Sequence, residues 1–355
     1  MTGSRRRGRL RVGVPAQLVE LSPRLGHGRV WQRVLGGLAD RVVLEPVTAR
    51  PVSSAGIRAD VWLADGHAGR LDADEPVVAV VHEVGWTTPE LRRFLDPGFA
   101  VRVAAATASA VGAAAHVLAP SEWSRNQVID ALGVETGRVH TVPYGVDLAV
   151  FRPGLTGGRA RVGAAAAVEE PAYVLFVASV TPRKNVRAVR HAVARLARRG
   201  FPHMLALVVS EAKDRPDSDD LRRTAEAELP GAPGRIVSLS GGDDPELAAL
   251  MAEADAVCLP SFSEGFGLPA LEAMACGAPV IVSDRGSLPE VVDGGGLIVP
   301  PTSDGVAEAL ERLLSDGAAT GAMRKAARVR AEGFPWERTV DGWLTVLEQA
   351  AAEGR

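Results

Sequence analysis

The chain has 355 residues, more than one ordinary core supports, and its 46% hydrophobic content can furnish two. Its formal net charge is −3 and its pI is near 6.2, whereas a face built for nucleic-acid phosphates normally leaves a basic balance, so no nucleic-acid partner is expected. No run approaches the roughly 18 uninterrupted apolar residues of a membrane-spanning helix, and the charged start MTGSRRRGRLR leads into no apolar signal core. The expected compartment is the cytoplasm, including the inner face of the membrane. Cys258 and Cys276, the only cysteines, lie among apolar neighbours and read as small core residues in a reducing compartment.

In chain order, 11–15 opens a first strand and 23–39 reads as a glycine loop entering a helix. Short apolar runs at 60–63, 76–81, 102–106 and 116–118 are expected as further strands alternating with helices, which is the pattern of a parallel sheet covered on both faces. Ser121 is placed as an N-cap after the last of these, and 144–147 reads as a turn toward an interdomain hinge. Residues 153–171, rich in Gly and Ala, are expected as an interdomain linker. A second alternation follows, with strands expected at 174–177, 204–209, 235–239, 256–260, 280–282 and 296–299. The last segment, FPWERTVDGWLTVLEQAA, has apolar residues at helical spacing.

The richest stretch is SFSEGFGLPALEAMACG, 261–277. A strand-type run, ADAVCLP, precedes it, and LPALEAMAC is helical in composition, with Pro269 suited to a first turn. Gly265 and Gly267 therefore fall in a strand-to-helix turn, where backbone without Cβ atoms can approach a ligand and the open N–H groups of a helix start suit a diphosphate. Glu264 lies at the strand end beside whatever those amides hold. Glu272, one turn inside the helix, is placed to accept hydrogen bonds from the two hydroxyls of a ribose. Upstream, PRKN at 182–185 follows another apolar run, and its adjacent cations, Arg183 and Lys184, can neutralise a pyrophosphate. His82 ends the strand VVAVVHE, at the carboxyl edge where doubly wound sheets bind ligands. Trp86, four residues on, offers either a face for a sugar ring or a core side chain.

Glu264 and Glu272, with seven residues between them inside SEGFGLPALEAMACGAPVI, resemble the paired-glutamate signature of retaining glycosyltransferases of family 4, with the GT-B fold. The resemblance implies an α/β architecture of two Rossmann-like doubly wound parallel-sheet domains facing across a cleft. It sets an acceptor-side domain at 1–152, a nucleotide-sugar domain at 153–333, and a terminal helix at 334–355 that returns to the first domain. Catalytic roles fall to Glu264, Lys184, Arg183 and His82. Donor binding falls to Gly265, Phe266, Gly267, Leu268 and Glu272, to the backbone of Leu239 and Ser240 near the base, and to Gly26 and Gly28 where the family has a glycine loop facing the diphosphate. In many members an arginine lies five positions before the lysine; here that place is Ser179, and Arg183 is expected to supply the charge.

Metal use is not expected. Asp72-Ala73-Asp74 and Asp217-Ser218-Asp219 match the DxD pattern of metal-dependent glycosyltransferases, but that pattern works just after a buried strand. The first precedes a strand and the second sits in a polar loop, and no His/Cys cluster has zinc spacing. The expected reaction is front-face substitution without a metal or other cofactor, the leaving diphosphate being stabilised by Lys184, Arg183 and the helix amides. The donor is a nucleoside-diphosphate sugar, with GDP-mannose favoured over a UDP-sugar because PRKN is frequent in mannosyltransferase-like members. The acceptor is an unidentified hydroxyl compound: a saccharide, a lipid-linked glycan or a small molecule. A basic tail (Arg5, Arg6, Arg7, Arg9, Arg11) with Leu91, Arg92, Arg93 and Phe94 could give weak peripheral membrane contact, yet without an apolar partner face it reads as a solvated surface. Two alternatives stand beside transfer. One is a sugar-nucleotide 2-epimerase, for which no added acid and base set is identified. The other is a silent sugar-nucleotide binder, suggested by Ser179 and by VVSE at 208–211, where the family usually has a glycine.

Overall fold

A computed structural model describes residues 9–21, 26–48, 58–87, 89–94, 96–179, 181–209, 236–240 and 242–354. The chain divides into two compact units, one of residues 1–145 and 336–355, the other of residues 146–335.

The first unit is built on a six-stranded parallel sheet of β1 (Arg11–Pro15), β2 (Val43–Val47), β3 (Val61–Asp65), β4 (Val77–Val80), β5 (His116–Ala119) and β6 (Val139–Thr141). Their order is β2-β1-β3-β4-β5-β6. Strands β4 and β5 are buried along their whole length, and apolar but for His116 at the start of β5, as a sheet covered on both faces requires. The edge strands β2 and β6 were not expected. VLEPV carries a charge and a proline that only an edge tolerates, and β6 has just 3 residues, so neither leaves the alternation of a half-buried strand.

The expected strand at 102–106 is instead the middle of a helix, Pro97–Ala113. The Asp96 side chain accepts a hydrogen bond from the Phe99 N–H at its start, and an alanine-rich run then favours the helix throughout. A short apolar window has no period of its own. The terminal helix Trp336–Glu353 belongs to this unit: Trp343 is fully buried edge-on to Trp31, 5.3 Å between ring centres, and Thr339 donates to the Pro143 carbonyl at 2.8 Å.

The second unit repeats the plan with β7 (Tyr173–Val177), β8 (Met204–Val209), β9 (Ile236–Ser240), β10 (Ala256–Leu259), β11 (Val280–Ser283) and β12 (Leu297–Val299), ordered β12-β11-β10-β7-β8-β9 and all parallel. Its core joins β7, β8 and β10 to the helices Val186–Arg198 and Ser303–Ser315. The expected linker at 153–171 is corrected here. Gly158–Ala166 is a helix of this unit with Val162 fully buried, and Arg159 clamps it by donating to Asp255 at 2.7 Å and to the Pro171 carbonyl at 2.8 Å. Small residues let this helix pack closely, so a low-hydrophobicity composition conceals a docked element.

Candidate active site

Chain order and spatial order together locate the edge where a ligand would sit. In the second sheet the chain runs outward from β7 through β8 to β9, then returns to the other side of β7 for β10. The switch of direction thus lies between β7 and β10, and doubly wound sheets bind ligands at the carboxyl ends of strands at that point. The segment after β7 carries Arg183 and Lys184, and the segment after β10 carries Glu264. Eighty residues apart in sequence, they meet there.

Lys184 Nζ donates to both oxygens of Glu264, at 2.7 Å to Oε1 and 2.6 Å to Oε2. Arg183 stands 3.5 Å from Oε2 and also donates to the Ser263 carbonyl, while Ser261 Oγ donates to Oε1 at 2.7 Å. The carboxylate is 6% exposed. Burial alone would raise its pKa, but the charges of Lys184 and Arg183 and the hydrogen bonds from Lys184 and Ser261 outweigh it and hold the carboxyl below its usual range.

Supporting residues fix this pair. Asn185, in the left-handed conformation that Asn tolerates better than most residues, donates to the carbonyls of Pro260 at 3.0 Å and Pro301 at 2.9 Å, tying the cation turn to the end of β10. Ser287 holds the Glu264 carbonyl through its Oγ at 3.0 Å and its N–H at 3.2 Å. Gly286, at φ +62°, passes so close that an added Cβ would lie 2.7 Å from the Glu264 nitrogen and 2.8 Å from its carbonyl oxygen. Ser261 reaches Glu264 from three residues upstream in the same segment, whereas sequence spacing gives no sign of Ser287 or Gly286, which only the neighbourhood of β10 and β11 brings in.

The glycine turn opens the helix Leu268–Ala275 as expected. Gly267 has φ +96° in the left-handed region, and no side chain caps the helix start. Phe266 is 4% exposed and edge-on to Phe334 at 6.0 Å, so its ring packs into the unit. Leu268 is likewise buried. Glu272 lies in the middle of the helix, 3% exposed, and burial together with its charge drives the Cys276 thiol up to about 12. Leu239 and Ser240 end β9, the sheet's edge strand two places from β7, where the Ser240 carbonyl accepts a hydrogen bond from Arg161 at 2.8 Å. Ser179 lies just past the end of β7. Of the VVSE run, Val208 and Val209 end β8, and the two residues that follow lie outside the described residues, as does Asp217-Ser218-Asp219.

In the first unit, His82 follows β4 and is 3% exposed. Its Nδ1 shares a 2.5 Å hydrogen bond with Tyr144 Oη, which the sequence suggested only as a turn residue. Its ring stacks on His27 with centres 4.3 Å apart, and its Nε2 has no hydrogen-bond partner, standing 3.9 Å from Asp65 Oδ2. His67, after β3, lies 5.8 Å from His82 between ring centres and shares a 3.2 Å contact with Thr107 Oγ1. Burial lowers both imidazoles, His67 to about 4 and His82 well below its ordinary value, with neighbouring histidines adding to the shift. Both are neutral near pH 7. Asp65 and His67 could have been found by the rule that picked His82, since VWLADGH also ends a buried strand. Of the two readings of Trp86, the structure has the core side chain: it is 5% exposed and edge-on to His67. Gly26 and Gly28 lie in the first turn of the helix Gly26–Ala39, not in a loop, and Gly28 is buried.

The basic surface is largely committed elsewhere. Arg11 donates to Glu45 and to the Arg58 carbonyl, Arg92 holds the Trp86 carbonyl, and Arg93 covers the Phe94 ring; Arg5, Arg6 and Arg7 lie outside the described residues. No helix among the described residues is long and apolar enough to cross a membrane.

Comparison with known proteins places these features in a family. A family model described as glycosyl transferases group 1 matches residues 163–330, which include the whole Lys184–Glu264–Glu272 constellation, and a second, glycosyltransferase family 4, matches residues 58–150. D-inositol 3-phosphate glycosyltransferase of Kineococcus radiotolerans is 33% identical over 84% of this chain and 72% of its own length. The corresponding protein of Kribbella flavida is 35% identical over 68% of this chain, and the match spans 59% of that relative's length. MMP alpha-(1->4)-mannosyltransferase of Mycolicibacterium hassiacum is 35% identical over 67% of this chain and 54% of its own length. Among solved structures, sucrose-phosphate synthase from Thermosynechococcus elongatus superposes with a TM-score of 0.76 at 19% identity, covering 97% of this chain and all of that one. Anabaena HepE in complex with UDP and glucose gives 0.75 at 18%, covering 96% and 100%. The fold is therefore GT-B, and the chain belongs to glycosyltransferase family 4.

Proposed function

We propose that the chain is a retaining glycosyltransferase that moves a hexose from a nucleoside-diphosphate sugar to a hydroxyl acceptor by front-face substitution without a metal ion. One observation carries the reading: at the switch point of the second sheet, a buried carboxylate is bracketed by two cations beside a glycine-opened helix that bears a second buried carboxylate. Glu264 positions Lys184 and Arg183 and serves the transferred sugar. Lys184 has three donors and Arg183 five, so both can turn part of their hydrogen bonding to an arriving diphosphate without releasing Glu264. The bond between the anomeric carbon and the diphosphate oxygen breaks, the acceptor oxygen bonds to that carbon on the same face, and the acceptor proton passes to the departing oxygen. Stabilising that oxygen is the main catalytic contribution. Glu272 serves the ribose, the backbones of Leu239 and Ser240 the base, and the amides of Gly265, Phe266, Gly267 and Leu268 the phosphates. Gly26, Gly28 and His82 are assigned to the donor and the reacting sugar on the family resemblance.

For the donor we favour GDP-mannose over a UDP-sugar, supported by the PRKN run and by the relative named as a mannosyltransferase. The HepE structures, which hold UDP or UDP-glucose, keep UDP-sugars in the test. Thermal-shift screening of sugar nucleotides decides the donor, since a ligand at 100 times its dissociation constant adds about 2.7 kcal/mol of stability. Incubation with the stabilising donor then decides the reaction. Release of free nucleoside diphosphate supports transfer, a C2-inverted donor would mean epimerisation, and stabilisation without turnover would mean a silent binder.

A further inference from the structure

Resting on the transfer reading above, we propose that the first unit holds the acceptor in a cavity at the carboxyl ends of β1, β2 and β3, and that this acceptor is an uncharged polyhydroxyl compound, not a phosphorylated one. The order β2-β1-β3 makes the gap between β1 and β3 the switch point of the first sheet. A cavity of about 320 Å³ lies there, bordered by Pro15 at the end of β1, Val47 at the end of β2 and Asp65 at the end of β3. That is the lower end of the size range for small-molecule sites. Leu18, Ala64 and Leu71 give it apolar wall for the C–H faces of a ring, while Thr48 adds a hydroxyl to the lining.

Its charge is the deciding feature. Among the described lining residues there are three carboxylates, Glu20, Asp65 and Asp72, against one guanidinium, Arg70, which is already paired with Asp72 at 2.9 Å. The unit contains no lysine. Asp65 is the sheltered one, its side chain 14% exposed, and the unpartnered Nε2 of buried His82 stands 3.9 Å from it. The two imidazoles next to Asp65 are neutral, so they add no positive charge for a phosphate. Carboxylates accept hydrogen bonds from hydroxyls, whereas a phosphate dianion would meet a lining whose described charges are net negative. The family relatives named for inositol 3-phosphate would then differ from this chain in the charge of the acceptor they take.

The test measures donor cleavage by the full chain with a panel of neutral polyols (inositol, mannose, glucose, glycerol) and each one's phosphate ester. At least one neutral member should accelerate cleavage at least about tenfold more than its phosphate ester does. The double variant Glu20→Gln/Asp72→Asn, which leaves Arg70 without its partner, should shift that ratio toward the ester by about tenfold, with nucleoside diphosphate binding as the control for folding. Preference for any phosphate ester over its parent, acceleration by no neutral member, or an unmoved ratio in the double variant would overturn the proposal. Loss of nucleoside diphosphate binding by the unmodified chain would instead overturn the transfer reading, which keeps the two failures apart.

Discussion

At the scale of single residues, Lys184 and Glu264 are each other's principal partner before any ligand arrives, and that changes what their substitution does. Lys184→Ala is expected to lose roughly 30-fold to 1000-fold in transfer, about 2 to 4 kcal/mol of transition-state stabilisation, because a leaving diphosphate loses one of its two cations. Unchanged turnover in a folded variant would remove Lys184 from the mechanism. Glu264→Gln leaves two cations, whose side chains are each 15% exposed, without their counter-charge. Breaking a buried pair in this way costs about 3 to 5 kcal/mol, so the variant should be less stable as well as less active. Glu272→Gln should act differently, weakening binding of the bare nucleoside diphosphate by about 1.5 to 3 kcal/mol through its ribose hydrogen bonds. Calorimetry with the nucleoside diphosphate separates the two: equal weakening by both variants would contradict the division of roles. Glu264 and the two cations were legible because each follows a recognisable buried strand, and Glu272 because it falls in a run of evident helical composition. Ser287 and the stacking of His27 on His82 were not, because their relevance comes from which elements are neighbours in the fold.

Elements show the same division. The buried strands of both sheets could be read from continuous apolar runs, and their ends were displaced by only a residue or two. What failed were segments whose packing does not follow hydrophobicity: the edge strands β2 and β6, the alanine-rich helix Pro97–Ala113, and the helix Gly158–Ala166. The turn between β11 and the helix Leu288–Val292 is the most exacting connection at the site. Gly286 combines a left-handed backbone with contact to the Glu264 backbone, so Gly286→Ala adds conformational strain and a clash at once. We expect about 2 to 4 kcal/mol of destabilisation together with loss of transfer. Wild-type stability in a Gly286→Ala variant would show that the turn can move away from Glu264.

For the whole molecule, the buried histidines of the first unit make its stability depend on pH. His67, held to about 4, and His82, held well below its ordinary value, bind fewer protons folded than unfolded. Their contribution is therefore complete above the unfolded value of about 6.5 and is lost as pH falls toward their folded values, at about 1.4 kcal/mol per pH unit for each group. Between pH 7.5 and pH 5 the unit should lose about 2 kcal/mol through His67, and His82 adds to the loss in the same direction. Denaturant unfolding followed through buried Trp31 and Trp343 reads this, and His82→Gln should flatten the dependence without abolishing it. A flat profile over that range would mean the imidazoles are hydrated and titrate normally.

The central claim, that this chain transfers a sugar with retention, is tested most directly by the anomeric configuration of its product. With the donor that stabilises the protein and an acceptor that accelerates its cleavage, proton NMR of the first product formed should show the α-configured sugar of the donor carried into an α-linked product, with one nucleoside diphosphate released per linkage. A β-linked product, or a sugar nucleotide that binds and is recovered unchanged with every acceptor tried, would contradict the account.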